Sequence, residues 1–298
     1  MKKTLSLLCI AAASVWHVQA QETTADTTWR VSGENTLLLN QSSFSNWAAG
    51  GINSFAANLI FNYDFNYKKN KWSWDNKIIA AYGLTKQRAT GWRKNDDRIV
   101  LNSLLGYEAA ERWLYTFYLN FNTQFADGFQ YDADNNSSLI STAFAPAYLS
   151  FGPGFAYKES DNFRFNLSPA AARFIFVTHD DLSAQGAFGV DPGSTSRFEF
   201  GASFDAYYKA NLMENVSVEN ILKLYSNYLE DPQNVDVDYT LNLFMKVNDY
   251  ITVNGGVQLI YDDNTLIPRQ EDGAFIPGSE RPTLQVRQVL GAGITYKF

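Results

Sequence analysis

Hydrophobic and polar residues alternate along most of this chain. In residues 54–67, every odd position is Phe, Tyr, Leu or Ala, and the even positions carry mainly Asn, Asp and Ser. Side chains of a β-strand point in turn to its two faces, so a period of two predicts a strand with one apolar and one polar face. Twelve such segments predict twelve strands: residues 29–40, 54–67, 72–87, 98–107, 113–125, 143–157, 163–177, 197–209, 216–228, 235–247, 251–261 and 283–298.

The links between these predicted strands also alternate in length. Links after even-numbered strands are short, such as KKNK at 68–71, whereas those after odd-numbered strands are mostly longer, up to residues 262–282. Short periplasmic turns and long external loops are typical of outer-membrane barrels. We therefore predict an all-β protein with a single closed antiparallel transmembrane β-barrel of about twelve strands, short periplasmic turns and longer external loops.

A soluble β-sandwich is the alternative fold, because its strands alternate in the same way. Its outward polar faces would carry many Lys and Glu, whereas the polar faces here are rich in Asn, Ser and Thr. Aromatic residues make up 15% of the chain, and a lipid-facing surface accommodates them better than one soluble core does. The composition therefore favours the barrel.

The first twenty residues have the features of a secretory signal. Lys2 and Lys3 precede an apolar run over 5–16, and VQA ends at Ala20, the expected cleavage site. We expect residues 1–20 to be a signal peptide, 21–28 a short periplasmic segment and 29–298 the barrel. The only cysteine, Cys9, falls inside the signal, so the mature chain has no thiol.

Removal of the signal leaves 22 basic and 31 acidic residues. This acidic balance argues against a nucleic-acid partner. Beyond the signal there is no apolar run of about 18 residues, so no transmembrane helix is expected. The expected location is the outer membrane of a Gram-negative cell, in contact with lipid and lipopolysaccharide.

The last predicted strand carries apolar residues along one face. This face ends in two aromatic residues, Tyr296 and Phe298. Aromatic side chains on the apolar face of a barrel strand lie at the membrane boundary. A C-terminal strand of this kind also resembles the signal that the barrel-assembly machinery reads in known barrels. We therefore expect Tyr296 and Phe298 to form that signal and the machinery to be a partner.

Three prolines interrupt the predicted strand pairing in the middle of the chain. Pro146, Pro153 and Pro169 cannot donate a hydrogen bond to a strand ladder, which indicates bulges or locally opened pairing. The alternation switches parity after Pro169, because otherwise Arg173 would face lipid.

Charged residues on the polar faces are the candidates for lining the lumen. Basic and acidic residues balance on these faces, which favours neither cation nor anion selectivity. Two interpretations stay open: a narrow passage for small solutes, or a lumen filled by internal ion pairs. The candidate lumen-lining residues are Arg30, Asp64, Asp75, Lys77, Arg197, Glu199, Asp205, Glu219, Lys223 and Arg287.

The first long link, NQSSFSNWAAGG at 40–51, is a candidate constriction loop. Its glycines permit a tight backbone, and its aromatic residues are costly to leave in water, so the loop would fold into the lumen. A surface loop anchored by Trp47 at the membrane interface is the other interpretation. The residues of the candidate constriction are Phe44, Asn46, Trp47, Gly50 and Gly51.

An enzyme is the second functional class to consider. Some twelve-stranded outer-membrane barrels are phospholipases that use Ser, His and Asn. The mature chain has one histidine, His179, with Ser183 four residues later, and nothing like the phospholipase motif surrounds them. We expect no catalytic residues, and lipid hydrolysis is a remote alternative.

One loop has oxygen ligands at alternate positions, as calcium loops do. Asp132, Asp134 and Asn136 occupy these positions in YDADNNSS. A calcium loop of the EF type would next require Gly at 137 and Glu at 143, where Ser137 and Ala143 stand. We therefore expect no metal site and no cofactor.

Nine sequence motifs connect the chain with a known family. They are DTTW (26–29), NQSSFSNWAAGG (40–51), NYDFNYKKNKWSWDNK (62–77), GWRKNDDR (91–98), FAPAYL (144–149), GAFGVDP (186–192), RFEFGA (197–202), SNYLEDPQNVDV (226–237) and IYDD (260–263). In these motifs the chain resembles an uncharacterised family of Bacteroidota outer-membrane β-barrels, classed as a domain of unknown function. The resemblance implies an outer-membrane location and no assigned activity.

Together these observations predict a narrow porin-like or solute-binding barrel without enzymatic activity. The alternative is a closed structural or assembly barrel that acts as a partner in an outer-membrane complex.

Overall fold

The alternating segments form twelve antiparallel strands that close into one barrel in this structure, a computed structural model. Each strand pairs with its neighbours in sequence, and β12 pairs with β1 to complete the ring. The predicted all-β, twelve-stranded barrel is therefore confirmed. The strands are β1 Trp29–Ser42, β2 Ser54–Lys69, β3 Trp72–Gln87, β4 Gly91–Ala110, β5 Trp113–Thr123, β6 Ala147–Ser160, β7 Phe163–Phe176, β8 Ser196–Met213, β9 Val216–Asn227, β10 Asp236–Lys246, β11 Ile251–Tyr261 and β12 Gln285–Lys297.

The structure describes residues 28–43, 53–87, 90–132, 135–267, 269–271, 274–276 and 278–298. The predicted signal peptide lies outside these residues, as does the following segment except for Thr28. The candidate constriction residues also lie outside them: Phe44, Asn46, Trp47, Gly50 and Gly51.

The two ends of the barrel differ in their connections. Links after even-numbered strands have two to four residues and form what we call the short-turn end. Links after odd-numbered strands include the longer loops of the opposite, loop end. Within the described residues, all further regular structure lies there: a hairpin of Gly128–Tyr131 with Ser137–Ser141, a helix Asp180–Ala184, a 3-10 turn Ala187–Gly189, and strand pairs Leu266–Ile267 with Arg281–Pro282 and Gln270–Glu271 with Ala274–Phe275.

The helix at the loop end is only one turn long. In the part of the chain that the structure describes, no helix has the length and apolar character needed to cross a bilayer.

Large apolar side chains cover the outer surface of the barrel. Exposed examples on the strands are Trp29, Leu37, Trp72, Trp113, Phe117, Leu290 and Ile294. Polar side chains are instead enclosed, and Thr36, Asn58 and Thr116 are at most 7% exposed. A soluble sandwich or barrel would have the opposite distribution, so the structure excludes that alternative.

Aromatic pairs form a belt near the short-turn end. Each pair joins opposite residues of neighbouring strands and makes an edge contact at 5.0 to 5.2 Å between ring centres. Such belts mark the boundary between hydrocarbon and water in membrane barrels. The pairs are Trp29 with Tyr67, Trp72 with Tyr107 and Trp113 with Tyr157.

The predicted switch of parity in the seventh strand is confirmed. Gly201 pairs with Ala171 and Ser203 with Ser168, so Pro169 and Ala170 together oppose one residue of β8. This β-bulge adds one residue to β7 and reverses its alternation. Arg173 consequently points into the barrel.

The fourth predicted strand was too short. It was expected over residues 98–107, with GWRKNDD as an external loop, but β4 begins at Gly91. The pairing skips Asn95 between Lys94 and Asp96, which makes a second bulge. That bulge interrupts the period of two, so the sequence pattern did not indicate a strand there.

Candidate functional site

A cavity of about 1750 Å³ lies inside the barrel. Its wall extends from Asn215 and Asp249 in the short turns to Phe129 and Ile140 in a loop at the opposite end. The inward polar faces of the strands supply most of the lining, because the period of two places every second residue on that side. This lumen is the candidate functional site.

Eight of the ten predicted lumen residues line this cavity. They are Arg30, Asp64, Asp75, Lys77, Asp205, Glu219, Lys223 and Arg287. The other two, Arg197 and Glu199, lie among packed side chains near the loop end. Glu199 is only 2% exposed.

The charges that line the cavity are balanced. Among the described residues, eleven basic and eleven acidic side chains contact it. Several are paired along the wall, for example Lys77 with Asp64 at 3.3 Å and Lys297 with Glu34 at 3.4 Å. The lumen therefore carries little net field of either sign.

Ion pairs also cross the lumen between strands that are not neighbours. Side chains that meet in this way narrow the space available to a solute. Three such pairs occur among the described residues: Lys158 on β6 with Asp75 on β3 at 3.4 Å, Arg287 on β12 with Asp96 on β4 at 2.7 Å, and Arg173 on β7 with Asp236 on β10. The sequence could not indicate them, because they depend on which strands face each other.

A buried arginine cluster fills the wall of β7, β8 and β10 near the loop end. Glu199 lies between two arginines, with Arg173 Nε at 3.1 Å and Arg197 Nε at 3.2 Å from its oxygens. The guanidinium of Arg173 also lies 3.8 Å from the centre of the Tyr225 ring. Buried charges are tolerated only with such partners, so this cluster is a fixed, closed part of the barrel.

The described part of the loop between β5 and β6, residues 124–146, folds over the cavity, and we call it the inner loop. Phe129, Tyr131 and Ile140 from this loop line the cavity. Asp97 fixes the start of the loop, since its carboxylate accepts the backbone N–H groups of Phe125 at 3.1 Å and of residue 126 at 2.9 Å. Sequence reasoning did not indicate this loop, and the constriction loop that it proposed lies outside the described residues.

Asparagines on β2, β4 and β5 make one wall of the cavity rich in amides. Two of them bond directly, since Asn120 Nδ2 donates to Asn102 Oδ1 on the neighbouring strand. Asn122 is exposed to the cavity. The members that line the cavity are Asn58, Asn62, Asn66, Asn95, Asn102, Asn120 and Asn122.

His179 and Ser183 do not form a catalytic pair. The Ser183 hydroxyl is buried and donates to the carbonyl oxygen of Ser194 at 2.8 Å. His179 Nδ1 is buried and has no hydrogen-bond partner among the described residues. A serine nucleophile needs a base within hydrogen-bond reach, which this serine lacks in the described part of the chain.

The loop with alternating oxygen ligands is closed by its own hydrogen bonds. Asp132 accepts the backbone N–H of Asn136 at 2.7 Å and its side-chain amide at 2.9 Å. Asp134 lies outside the described residues.

Three acidic residues meet at the loop end. Asp236, Asp262 and Asp263 bring carboxylate oxygens within 4.8 Å of one another, although Asp236 begins β10 and the other two lie in the loop after β11. Each already accepts a hydrogen bond from the protein: Asp236 from Arg173, Asp262 from Thr265 and Asp263 from Asn234.

The C-terminal residues close the ring of strands at the short-turn end. Phe298 exchanges two backbone hydrogen bonds of 3.0 Å with Gly33, and its ring lies 5.5 Å from that of Tyr63. Tyr296 and Phe298 are both more than half exposed on the outer face.

Exposed charges occupy the short turns. Lys246 donates to Asp249 at 2.7 Å, and this hydrogen bond lowers the pKa of Asp249. Arg112 contacts Tyr157 and Glu159, and the hydrogen bond to Tyr157 raises the pKa of the arginine.

A family model described as "Protein of unknown function (DUF3078)" matches residues 39–129. This match confirms the resemblance to a domain of unknown function that the sequence motifs indicated. A search of curated proteins finds no match.

Several solved outer-membrane barrels are similar to this chain in shape. The NanC porin is 9% identical with a TM-score of 0.38, and the alignment covers 89% of this chain and 99% of that one. An outer membrane channel from Pseudomonas putida F1 is 9% identical, with a TM-score of 0.38 and coverage of 91% and 94%. The channel DcaP of Acinetobacter baumannii is 8% identical, with a TM-score of 0.32 and coverage of 92% and 99%. These similarities are too distant to assign an activity.

Proposed function

We propose that this protein is an outer-membrane channel through which small polar solutes pass by diffusion. The observation that carries the proposal is the polar cavity of about 1750 Å³ enclosed by a barrel whose outer surface is apolar. A barrel wall with a polar inner face and an apolar outer face separates water from lipid. A closed barrel is also one of the two structures whose backbone can cross a bilayer.

The same outer surface supports the location and the partners that we propose. Outward apolar strands and the aromatic belt support a location in the outer membrane of a Gram-negative cell, in contact with lipid and lipopolysaccharide. Tyr296 and Phe298, exposed on the last strand, support recognition by the barrel-assembly machinery. Export requires the signal proposed for residues 1–20.

Passage is narrow in this proposal. The cross-lumen ion pairs and the inner loop leave room for small solutes but not for folded proteins. Balanced charge on the wall favours weak discrimination between cations and anions.

Single-channel recording in planar bilayers tests this function. The purified protein is expected to give steady open current in potassium chloride, with a reversal potential close to zero in a salt gradient. Liposomes that contain the protein are expected to swell in small sugars and not in large dextrans. A protein that inserts into bilayers but carries no current contradicts the proposal.

A closed structural or assembly barrel is the second candidate. The buried arginine cluster favours it, because Glu199, Arg173 and Arg197 seal part of the loop end. This candidate predicts an electrically silent barrel that co-purifies with a partner protein in mild detergent.

A further inference from the structure

Within the described residues, several asparagine amides in the lumen have unused hydrogen-bonding groups, whereas many of the charged side chains there are paired. We define the amide patch as Asn102 on β4 with Asn120 and Asn122 on β5. Asn102 lies opposite Asn120 in the strand register, and Asn122 lies opposite Tyr148 on β6. All four side chains line the cavity and form one continuous surface across three strands.

The amide patch keeps hydrogen-bonding groups that the protein does not use. Asn120 donates to Asn102, which leaves the Asn102 amide nitrogen and the Asn120 carbonyl oxygen without a bond among the described residues. Asn122 is exposed and bonds to no side chain in that part of the protein. An amide offers a donor and an acceptor together, as a hydroxyl group does, whereas a metal cation or an inorganic anion uses only one kind.

Charge on the β3 side of the amide patch is neutralised. The nearest charge in the register is Lys77, opposite Asn102, and it is bound to Asp64 at 3.3 Å. Lys158 is similarly bound to Asp75 at 3.4 Å. An ionic solute therefore gains little on this side to replace its hydration, whereas a neutral polyhydroxylated solute needs only its hydrogen bonds to water replaced.

Tyr148 adds a ring beside the amides. It is half-buried and lines the cavity next to Asn122. A sugar presents hydroxyl groups at its edge and C–H groups on its faces. The amides can bond to the hydroxyl groups, and the neighbouring ring can pack against the C–H groups.

We propose that the amide patch is a binding site for neutral, polyhydroxylated solutes such as short oligosaccharides. The inference rests on the channel function proposed above and names the class of solute that the channel selects.

Current block by sugars tests this inference. Maltotriose added to an open channel is expected to reduce the ion current in a concentration-dependent way, and trigalacturonate is expected to do so less. In Asn122→Leu the half-blocking concentration should rise about threefold, and in Asn120→Leu/Asn122→Leu about tenfold, since each lost hydrogen bond weakens binding modestly.

The matched control is Asn220→Leu, which removes an asparagine from β9 that does not line the cavity and instead accepts a hydrogen bond from Tyr239. It should leave the block unchanged. Should the double variant fail to fold, Asn122→Leu carries the test, because this exposed side chain makes no side-chain hydrogen bond among the described residues. Open current without sugar block, or stronger block by trigalacturonate, overturns the inference and leaves the channel intact. Absence of any current overturns the proposed function itself.

Discussion

At the scale of residues, ion pairs between charged side chains stabilise the interior of this barrel. Glu199 is the clearest case, being 2% exposed and between two arginines. Taking these groups out of water costs several kcal/mol, which their mutual attraction offsets only while the set is complete. The cost of removing one charge should therefore depend on its burial.

Replacing Glu199 by Gln should lower the free energy of unfolding by about 3 kcal/mol, because two buried guanidinium groups lose a shared partner. Urea unfolding in lipid vesicles, followed by tryptophan fluorescence, measures the change. Glu230→Gln is the matched control, since Glu230 also pairs with Arg197 at 2.7 Å but its side chain is 57% exposed. That change should cost less than about 1 kcal/mol. Equal losses would contradict the role of burial.

A substitution of Arg287 tests whether the cross-lumen ion pairs narrow the passage. Arg287→Ser breaks the cross-lumen pair with Asp96 and should raise single-channel conductance roughly twofold, because the space between β12 and β4 opens. Arg30→Ser removes the same charge from the same cavity, at a residue without an ion pair among those described. It should change conductance little, and an equal rise in both variants would mean that charge, not width, sets the current.

At the scale of elements, β7 shows how one extra residue controls a strand. Ser168 points inward before the bulge and Arg173 points inward after it, although the two numbers differ in parity. Without the bulge, the sequence beyond Pro169 would place Arg173 on the lipid face, where a charged residue costs about 2–4 kcal/mol at the midplane.

Deletion of Ala170 should therefore be tolerated. It removes the extra residue and leaves the inward side chains of β7 on the inner face. Deletion of Ala80 from β3, which has no bulge, should prevent assembly, because the side chains of half of that strand would move to the opposite face of the barrel wall. The charges that could then face lipid are Asp75 and Lys77. Heat-modifiable mobility on gels measures assembly of both variants. Failure of the Ala170 deletion alone would contradict this account of the bulge.

At the scale of the whole molecule, the distribution of side chains is inverted relative to a soluble protein. The outer surface carries the rings and aliphatic groups, and the interior holds amides and ion pairs. This arrangement lowers the free energy only where the barrel is surrounded by lipid.

Leu290 provides a direct test, because it is 68% exposed midway along β12. On a soluble protein, Leu290→Arg would change stability by less than about 0.5 kcal/mol. In a bilayer it should cost about 2–4 kcal/mol. Met213→Arg, at a residue equally exposed but at the short-turn end, should cost under about 1 kcal/mol near the interface. Equal, small effects in vesicles would contradict the lipid-facing assignment.

The sequence by itself determined the number of strands, the face of most residues and the end that carries the long loops. Strand alternation and link length are local properties, and each segment such as 54–67 expresses them without reference to the rest of the chain. Where a bulge broke the period, as at Asn95, the local signal failed and the strand was predicted too short.

Only the tertiary structure decided which charges meet across the lumen and that the inner loop folds over it. Asp96 and Arg287 are separated by most of the chain, and their contact depends on closure of the ring and on the tilt of its strands. The inner loop is likewise held by Asp97, a residue from another hairpin. Both are long-range consequences of barrel closure, which no periodicity along the sequence encodes.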